Sequence, residues 1–229
     1  MYYPGLLEEH GNEIRVRELN RTYSKTDYKD TELDLCGRLI QEDLCLMAPG
    51  KNGYTLEAAS LCFPSRWRLL DKMGLPMEEI HNPVPEFSEK LARPVDRFFG
   101  RLAVDKPVWR VNWSLTSDPE LYQSVRSKNQ QLNVSINPGN AGKRIFIRCE
   151  RQTLRRLPET GWILFTIKTY LDEVSKLLDF PDAAKNLACL LRDLPRSVLI
   201  YKNILPFLAP LLTYLDSIGT NESTIIKKC

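Results

Sequence analysis

The sequence lacks the features of several large classes of protein. Its 229 residues carry 32 Lys and Arg against 29 Asp and Glu, and a net charge of +3 is too small to indicate a nucleic-acid binder. The longest apolar run, residues 204–215, contains Pro206 and Pro210 and is too short for a membrane span. Residues 1–19 hold no apolar stretch of signal-peptide length. We therefore expect a soluble, cytoplasmic protein.

Motifs for metals and nucleotides are also missing. The six cysteines form no CxxC pair, which argues against an iron–sulfur cluster bound by this chain alone. Reduced thiols are expected, because nothing in the sequence indicates export. No glycine-rich nucleotide-binding motif and no internal repeat occurs. Only two histidines, His10 and His81, are available as imidazole ligands.

The pattern in the first half predicts a hairpin followed by short helices. Residues 33–40 form a short amphipathic pattern, and residues 43–63 hold two apolar runs around the turn-rich segment 49–53. Five prolines then divide residues 64–100 into short helical pieces, since proline ends or kinks a helix. Residues 1–30 show no clear period.

Three strands and a group of helices are expected in the second half. Residues 108–115 and 144–150 alternate between apolar and polar side chains, as half-buried strands do. Residues 161–171 are apolar on both faces, which predicts a central strand. Beyond Tyr170 the apolar period becomes helical, and we expect these helices to pack on the sheet or to pair with a partner subunit.

This order predicts an α+β fold with a small antiparallel sheet. A PAS domain has the same order, five strands with short helices between the second and the third. We predict four segments: a poorly patterned segment 1–32, a PAS-like domain 33–171, C-terminal helices 172–218 packing on it, and a frayed tail 219–229.

Five ordered strings in the chain resemble one known family. They are residues 61–67 (LCFPSRW), 80–85 (IHNPVP), 95–99 (VDRFF), 107–114 (PVWRVNWS) and 148–158 (RCERQTLRRLP). Together they resemble the alpha subunits of haem-dependent oxidative N-demethylases. The resemblance covers roughly residues 33–216 and leaves out the N-terminal segment and the tail.

The resemblance implies a PAS-like fold that holds haem b through one histidine. It implies a monooxygenase-type, oxygen-dependent demethylase that converts a small secondary amine such as dimethylamine to methylamine and formaldehyde. Electrons would come from NADPH through partner subunits carrying a flavin and an iron–sulfur centre. Neither a nucleic acid nor a membrane is expected as a partner.

His81 is the candidate iron ligand. A lone histidine is commonly structural or solvated, and that alternative stays open. In favour of ligation, His81 lies in the proline-broken segment after the first hairpin, where haem-binding PAS domains place the axial ligand, and within one of the five strings. A neutral imidazole nitrogen would bind the iron, and the other ring nitrogen would need an acceptor to fix the tautomer. His10 lies outside the resemblance.

Several polar side chains are candidates for holding the haem. Arginine matches the carboxylate of a haem propionate bidentately, although the polar face of a strand commonly contacts only solvent. An apolar macrocycle also needs aromatic walls, although tryptophans are most simply core residues. The candidate cofactor-binding residues besides His81 are Arg66, Arg97, Arg110, Asn112, Trp113, Arg148 and Arg155.

Glu150 and Arg151 are the candidate catalytic residues. Glu150 would hold a protonated amine near the iron or relay protons. Alternatively, Glu150, Arg151 and Arg155 form a structural ion-pair network. Two other functions stay open: a haem-binding PAS sensor or regulatory subunit without catalysis, and a PAS module without a cofactor.

Overall fold

A computed structural model describes residues 6–124 and 135–225 of the chain, with side chains up to residue 219. The strands of this part form two antiparallel sheets, one of three strands in the order β1-β2-β3 and one of five in the order β5-β4-β8-β7-β6. The strands are β1 (Leu7–His10), β2 (Glu13–Val16), β3 (Arg21–Ser24), β4 (Asp43–Gly50), β5 (Gly53–Ser60), β6 (Val108–Thr116), β7 (Phe146–Arg156) and β8 (Ile163–Glu173).

Short helices connect the sheet strands, and longer ones follow the last strand. The α-helices are α1 (Glu32–Leu39), α2 (Met77–Ile80), α3 (Ala92–Arg101), α4 (Ala141–Arg144), α5 (Pro181–Asp193), α6 (Arg196–Tyr201) and α7 (Leu208–Ile225). A π-helical turn, Phe87–Leu91, leads into α3, and 3₁₀ turns occur at Lys25–Tyr28, Leu69–Asp71, Val174–Asp179 and Leu205–Phe207.

The five-stranded sheet confirms the predicted α+β, PAS-like architecture. In chain order its strands lie second, first, fifth, fourth, third, and α2 and α3 are inserted between the second and third strands. Strand β8 lies between β4 and β7, at the centre, as its two apolar faces predicted. The hairpin of β4 and β5 also agrees with the sequence prediction.

The N-terminal segment is more regular than its sequence indicates. Strands β1–β3 form a meander in which no side chain is buried. Ion pairs of Glu8 with Arg17 and of Glu9 with Lys25 connect its strands instead. Because the meander buries no apolar face, the sequence carries no hydrophobic period there.

Strand β7 begins two residues later and ends six residues later than predicted. Its second half, 151–156, carries three arginines and a glutamine, which do not alternate with apolar residues. These side chains are accommodated because they meet partners on neighbouring strands and loops, such as Glu42 for Arg151 and Arg110 for Gln152. At the C-terminus, α7 continues to Ile225, whereas a frayed tail was predicted from Gly219.

The five-stranded sheet packs on both of its faces. On one face, which we call the α2 face, Leu154 and Phe165 contact a core that also includes Met77 and Ile80 at α2. On the other, the α5 face, Leu115 joins a core formed with α5, α6 and α7. Within residues 6–124 and 135–225, no helix combines the length and the apolar character needed to cross a membrane.

Arg156 connects the end of β7 to α3 and β5 by hydrogen bonds. Its Nε donates to the carbonyl oxygen of Leu102 at 2.6 Å, and its second terminal nitrogen donates to the Phe99 carbonyl and to the Tyr54 hydroxyl.

We expect Arg156→Met to lower the free energy of unfolding by about 2–4 kcal/mol, because buried acceptors lose their donors. Urea unfolding measures this. Arg155→Met, at the exposed neighbour, should change it by no more than about 0.5 kcal/mol; equal losses in both variants would contradict this role of Arg156.

Candidate functional site

The register of β6 and β7 places four predicted site residues on the α2 face. Asn112 is paired with Glu150, and Arg110 is paired with Gln152. Cross-strand partners share a face of the sheet and residues two apart do as well, so Arg148 lies on this face too. The α2 face is therefore polar at one end of β6 and β7 and apolar at the end that carries Leu154.

The polar end is connected by hydrogen bonds centred on one carboxylate. Glu150 Oε2 accepts from Asn112 Nδ2 at 3.3 Å and from Gln152 Nε2 at 3.2 Å, and Glu150 Oε1 faces Arg148 Nε at 3.4 Å. Gln152 Oε1 in turn accepts from Arg110 Nε at 2.9 Å. We call these five residues the polar band. Only 12% of the Glu150 side chain is exposed, so its charge is balanced locally rather than by solvent.

Arg148 is the most deeply buried charge of the polar band. Its side chain is 1% exposed, and its terminal nitrogens donate to the carbonyl oxygens of Phe63 at 2.7 Å and Leu121 at 3.0 Å, and to Thr169 Oγ1 at 3.4 Å. With Nε directed at Glu150, all three nitrogens are engaged within the protein. Arg148 therefore orients Glu150 and holds two loops, and it is not placed as a propionate ligand.

His81 directly follows the short helix α2, which begins after Pro76. The ring Nδ1 lies 2.8 Å from the carbonyl oxygen of Met77, and the ring stacks on Phe87 with centroids 4.5 Å apart. A carbonyl oxygen only accepts hydrogen bonds, so this contact requires the proton on Nδ1 and leaves the lone pair on Nε2. Pro83 and Pro85 prevent α2 from continuing as a helix past the ring.

The surroundings of His81 favour the neutral imidazole. Burial lowers the pKa of His81 from its usual 6.5, and the nearby positive charges of Arg110 and Lys72 lower it further, while the bond to Met77 raises it. Arg110, a residue of the polar band, therefore acts electrostatically on His81. A neutral ring with a free Nε2 is the form that ligates a metal.

The remaining candidates lie elsewhere. Arg66 donates to the carbonyl oxygen of Lys202. Arg97 is exposed and lies two residues from both Val95 and Phe99, which face the core, so it is on the solvent side of α3.

Three predicted residues, Trp113, Arg151 and Arg155, belong to the α5 face rather than the α2 face. Arg151 pairs with Glu42, and Glu150 with Arg148, so the alternative network of Glu150 with Arg151 and Arg155 is wrong in its partners. Trp113 lines an open apolar groove of about 360 Å³ against α5.

Sequence reasoning missed three polar residues near the site. Gln152 could have been found, because it follows Glu150 by two residues and so shares its face. Asp43 begins β4 and is 1% exposed, yet nothing in its local pattern signals burial. Lys202 donates to the Trp113 carbonyl at 2.7 Å from a distant turn. No group of three or more metal-ligating side chains occurs in the described part of the chain.

One protein-family model matches most of the chain. The model described as haem-dependent oxidative N-demethylase, alpha subunit-like, matches residues 1–212. The chain belongs to this family. The match includes the N-terminal meander, which the resemblance of the five strings left out, and ends within α7.

Membership of the N-demethylase family has two direct consequences. The chain is a haem-dependent oxidative N-demethylase-like protein, and its alpha subunit-like character implies other subunits and a small substrate. The family name also indicates haem dependence.

The tautomer of His81 is directly testable by ¹⁵N NMR of the imidazoles. We expect the Nδ1–H form at pH 7 and a pKa below 6.5, since burial opposes the charged ring. His81→Gln assigns the signal, because the chain has only two histidines. The pKa is lower in the folded than in the unfolded state, so this contribution to stability is present above pH 6.5 and is lost as the pH falls. An Nε2–H tautomer at pH 7 would contradict the geometry.

Proposed function

We propose that this chain binds haem b with His81 as the axial ligand and catalyses the oxidative N-demethylation of a small secondary amine such as dimethylamine, releasing formaldehyde. The observation that carries the proposal is the fixed orientation of His81. One ring nitrogen is held by the Met77 carbonyl, the ring is stacked on Phe87, and Nε2 carries the lone pair.

The other residues of the α2 face are of the types that a haem requires. The apolar end, which includes Leu154, Phe165 and Ile80, supplies side chains of the kind that wall a macrocycle. Arg110 is exposed, and its positive charge contributes to the lowered pKa of His81. Its Nη atoms are suited to a propionate while its Nε donates to Gln152. We therefore assign Arg110 as the propionate ligand in preference to the other arginines.

Glu150 is the proposed substrate-binding group. A secondary amine is cationic near neutral pH, and a partly buried carboxylate held in place by three donors is suited to bind it and to orient its N-methyl group. The bound haem supplies the oxidation of that methyl group. Asn112, Gln152 and Arg148 keep the carboxylate fixed, and the apolar end excludes water from the methyl group.

Partner subunits are proposed to supply the electrons. The alpha subunit-like character of the family implies other subunits. We assign to them the flavin, the iron–sulfur centre and the use of NADPH, and we propose that the assembly works in the cytoplasm.

Haem titration tests the axial ligand. Wild-type protein mixed with haem should show a shifted Soret band, and His81→Ala should lose that shift because the iron has no imidazole to bind. Added free imidazole should restore the band in His81→Ala if the pocket is intact. An identical Soret band in the wild type and in His81→Ala would exclude His81 as the ligand.

Formaldehyde release from dimethylamine, driven by a chemical reductant under oxygen, tests the reaction. Glu150→Gln is nearly isosteric but neutral, so we expect haem binding to persist while kcat/KM falls by about 10²–10⁴-fold. Arg155→Gln, on the α5 face, is the matched control and should leave kcat/KM unchanged. Haem binding without turnover of any short-chain amine would instead favour a sensor or regulatory subunit.

A further inference from the structure

Asp43 has one carboxylate oxygen that is bonded and one that is not. Oδ1 accepts from the backbone N–H groups of Cys62 at 2.6 Å and Phe63 at 3.0 Å. Oδ2 is buried and has no hydrogen-bond partner within the described residues, and Asp43 as a whole is 1% exposed. A buried carboxylate oxygen without a partner is costly, and a proton or a ligand there relieves the cost.

The free oxygen of Asp43 belongs to the α2 face. Asp43 is paired with Ile167 on β8, Ile167 with Gln152 on β7, and Thr169 with Glu150. Thr169 is thus the cross-strand partner of Glu150 and lies two residues from the partner of Asp43 on the same face of β8, and its Oγ1 already contacts Arg148. A hydroxyl both donates and accepts, so Thr169 is suited to connect the two carboxyl groups.

We propose that Asp43 and Glu150 are a pair that holds one proton and passes it across the polar band through the Thr169 hydroxyl and one bridging water. Asp43 is the buried end of the pair, and Glu150 is the end that faces the substrate. The use of this proton in demethylation rests on the proposed function, whereas the existence of the pair does not.

The charged and titratable groups around Asp43 support this assignment. Burial raises the pKa of Asp43 from its usual 3.8, and the negative charge of Glu150 raises it further. The two backbone bonds and the positive charge of Arg148 lower it. The other titratable neighbours are Cys62 and Cys45, whose own pKa values are raised by burial and then by Asp43. Asp43 therefore keeps a proton at a pH where an exposed aspartate has lost it.

Demethylation needs such a supply of protons. One dimethylamine, one O₂, two electrons from a reductase and two protons give methylamine, formaldehyde and water. In each transfer the O–H bond at Asp43 Oδ2 breaks and one forms at Glu150, while the Thr169 hydroxyl and the bridging water each give up one proton and gain another. Glu150 then releases its proton to the reaction and is a carboxylate again. Asp43 is reprotonated from the side of Cys62, which is exposed.

Infrared titration of the protein without haem tests the pair. The difference between wild type and Asp43→Asn isolates the carboxyl band of Asp43, because asparagine keeps the oxygen that accepts from Cys62 and Phe63. We expect a midpoint above 3.8. In a Glu150→Gln background the midpoint should fall, by roughly one pH unit or less, since a negative charge is removed. A midpoint at or below 3.8, or one that Glu150→Gln leaves unchanged, overturns the pair.

Turnover of the haem-loaded protein with its reductase tests the relay. Thr169→Val keeps both carboxyl groups, so it should leave the infrared midpoint near the wild-type value while slowing formaldehyde release by about tenfold or more. Asp43→Asn should slow it similarly and flatten its pH profile. Wild-type rates in both variants overturn the relay. If the wild type turns over no amine, the proposed function fails, and the infrared midpoints still decide the pair.

Discussion

The buried guanidinium of Arg148 is the interaction on which the site depends. It lies on the sheet, yet two of its acceptors come from loops far away in the chain, at Phe63 and Leu121. The others are Glu150 on its own strand and Thr169 on β8. Burying such a charge is favourable only when its donors are satisfied. The position of these loops and the orientation of the Glu150 carboxylate are therefore fixed by the same group.

The α2 face combines two environments that chemistry on an amine needs. The polar band carries fixed charge, and it adjoins an apolar core that includes Leu154, Phe165 and Ile80, the residue before His81. The adjoining apolar core lowers the local dielectric constant, which strengthens each electrostatic contact of the polar band. Burial disfavours the charged form of both His81 and Asp43. It therefore lowers the pKa of the histidine and raises the pKa of the aspartate.

Local patterns were sufficient to predict the sheet but not the partners of its polar side chains. The alternation of apolar and polar side chains predicted β6 and its two faces. Residues 161–171, which are apolar on both faces, predicted the central strand of the sheet. The family strings directed attention to His81. By contrast, the burial of Asp43 and the carbonyl partners of Arg148 depend on segments 19 to 85 residues away in the chain, and no local period encodes such contacts. The strands of the meander β1–β3 were not predicted for another reason. The meander buries no side chain, so its sequence has no hydrophobic period.

The acceptor that orients His81 is a main-chain carbonyl, and this has an evolutionary consequence. Every amino acid at position 77 presents the same oxygen, so changes of the Met77 side chain leave the tautomer of the histidine intact. Haem proteins that use a carboxylate for this purpose lose it by a single substitution. The orientation of the His81 imidazole is therefore robust to sequence drift at position 77, and its tautomer can persist while the side chains around it change.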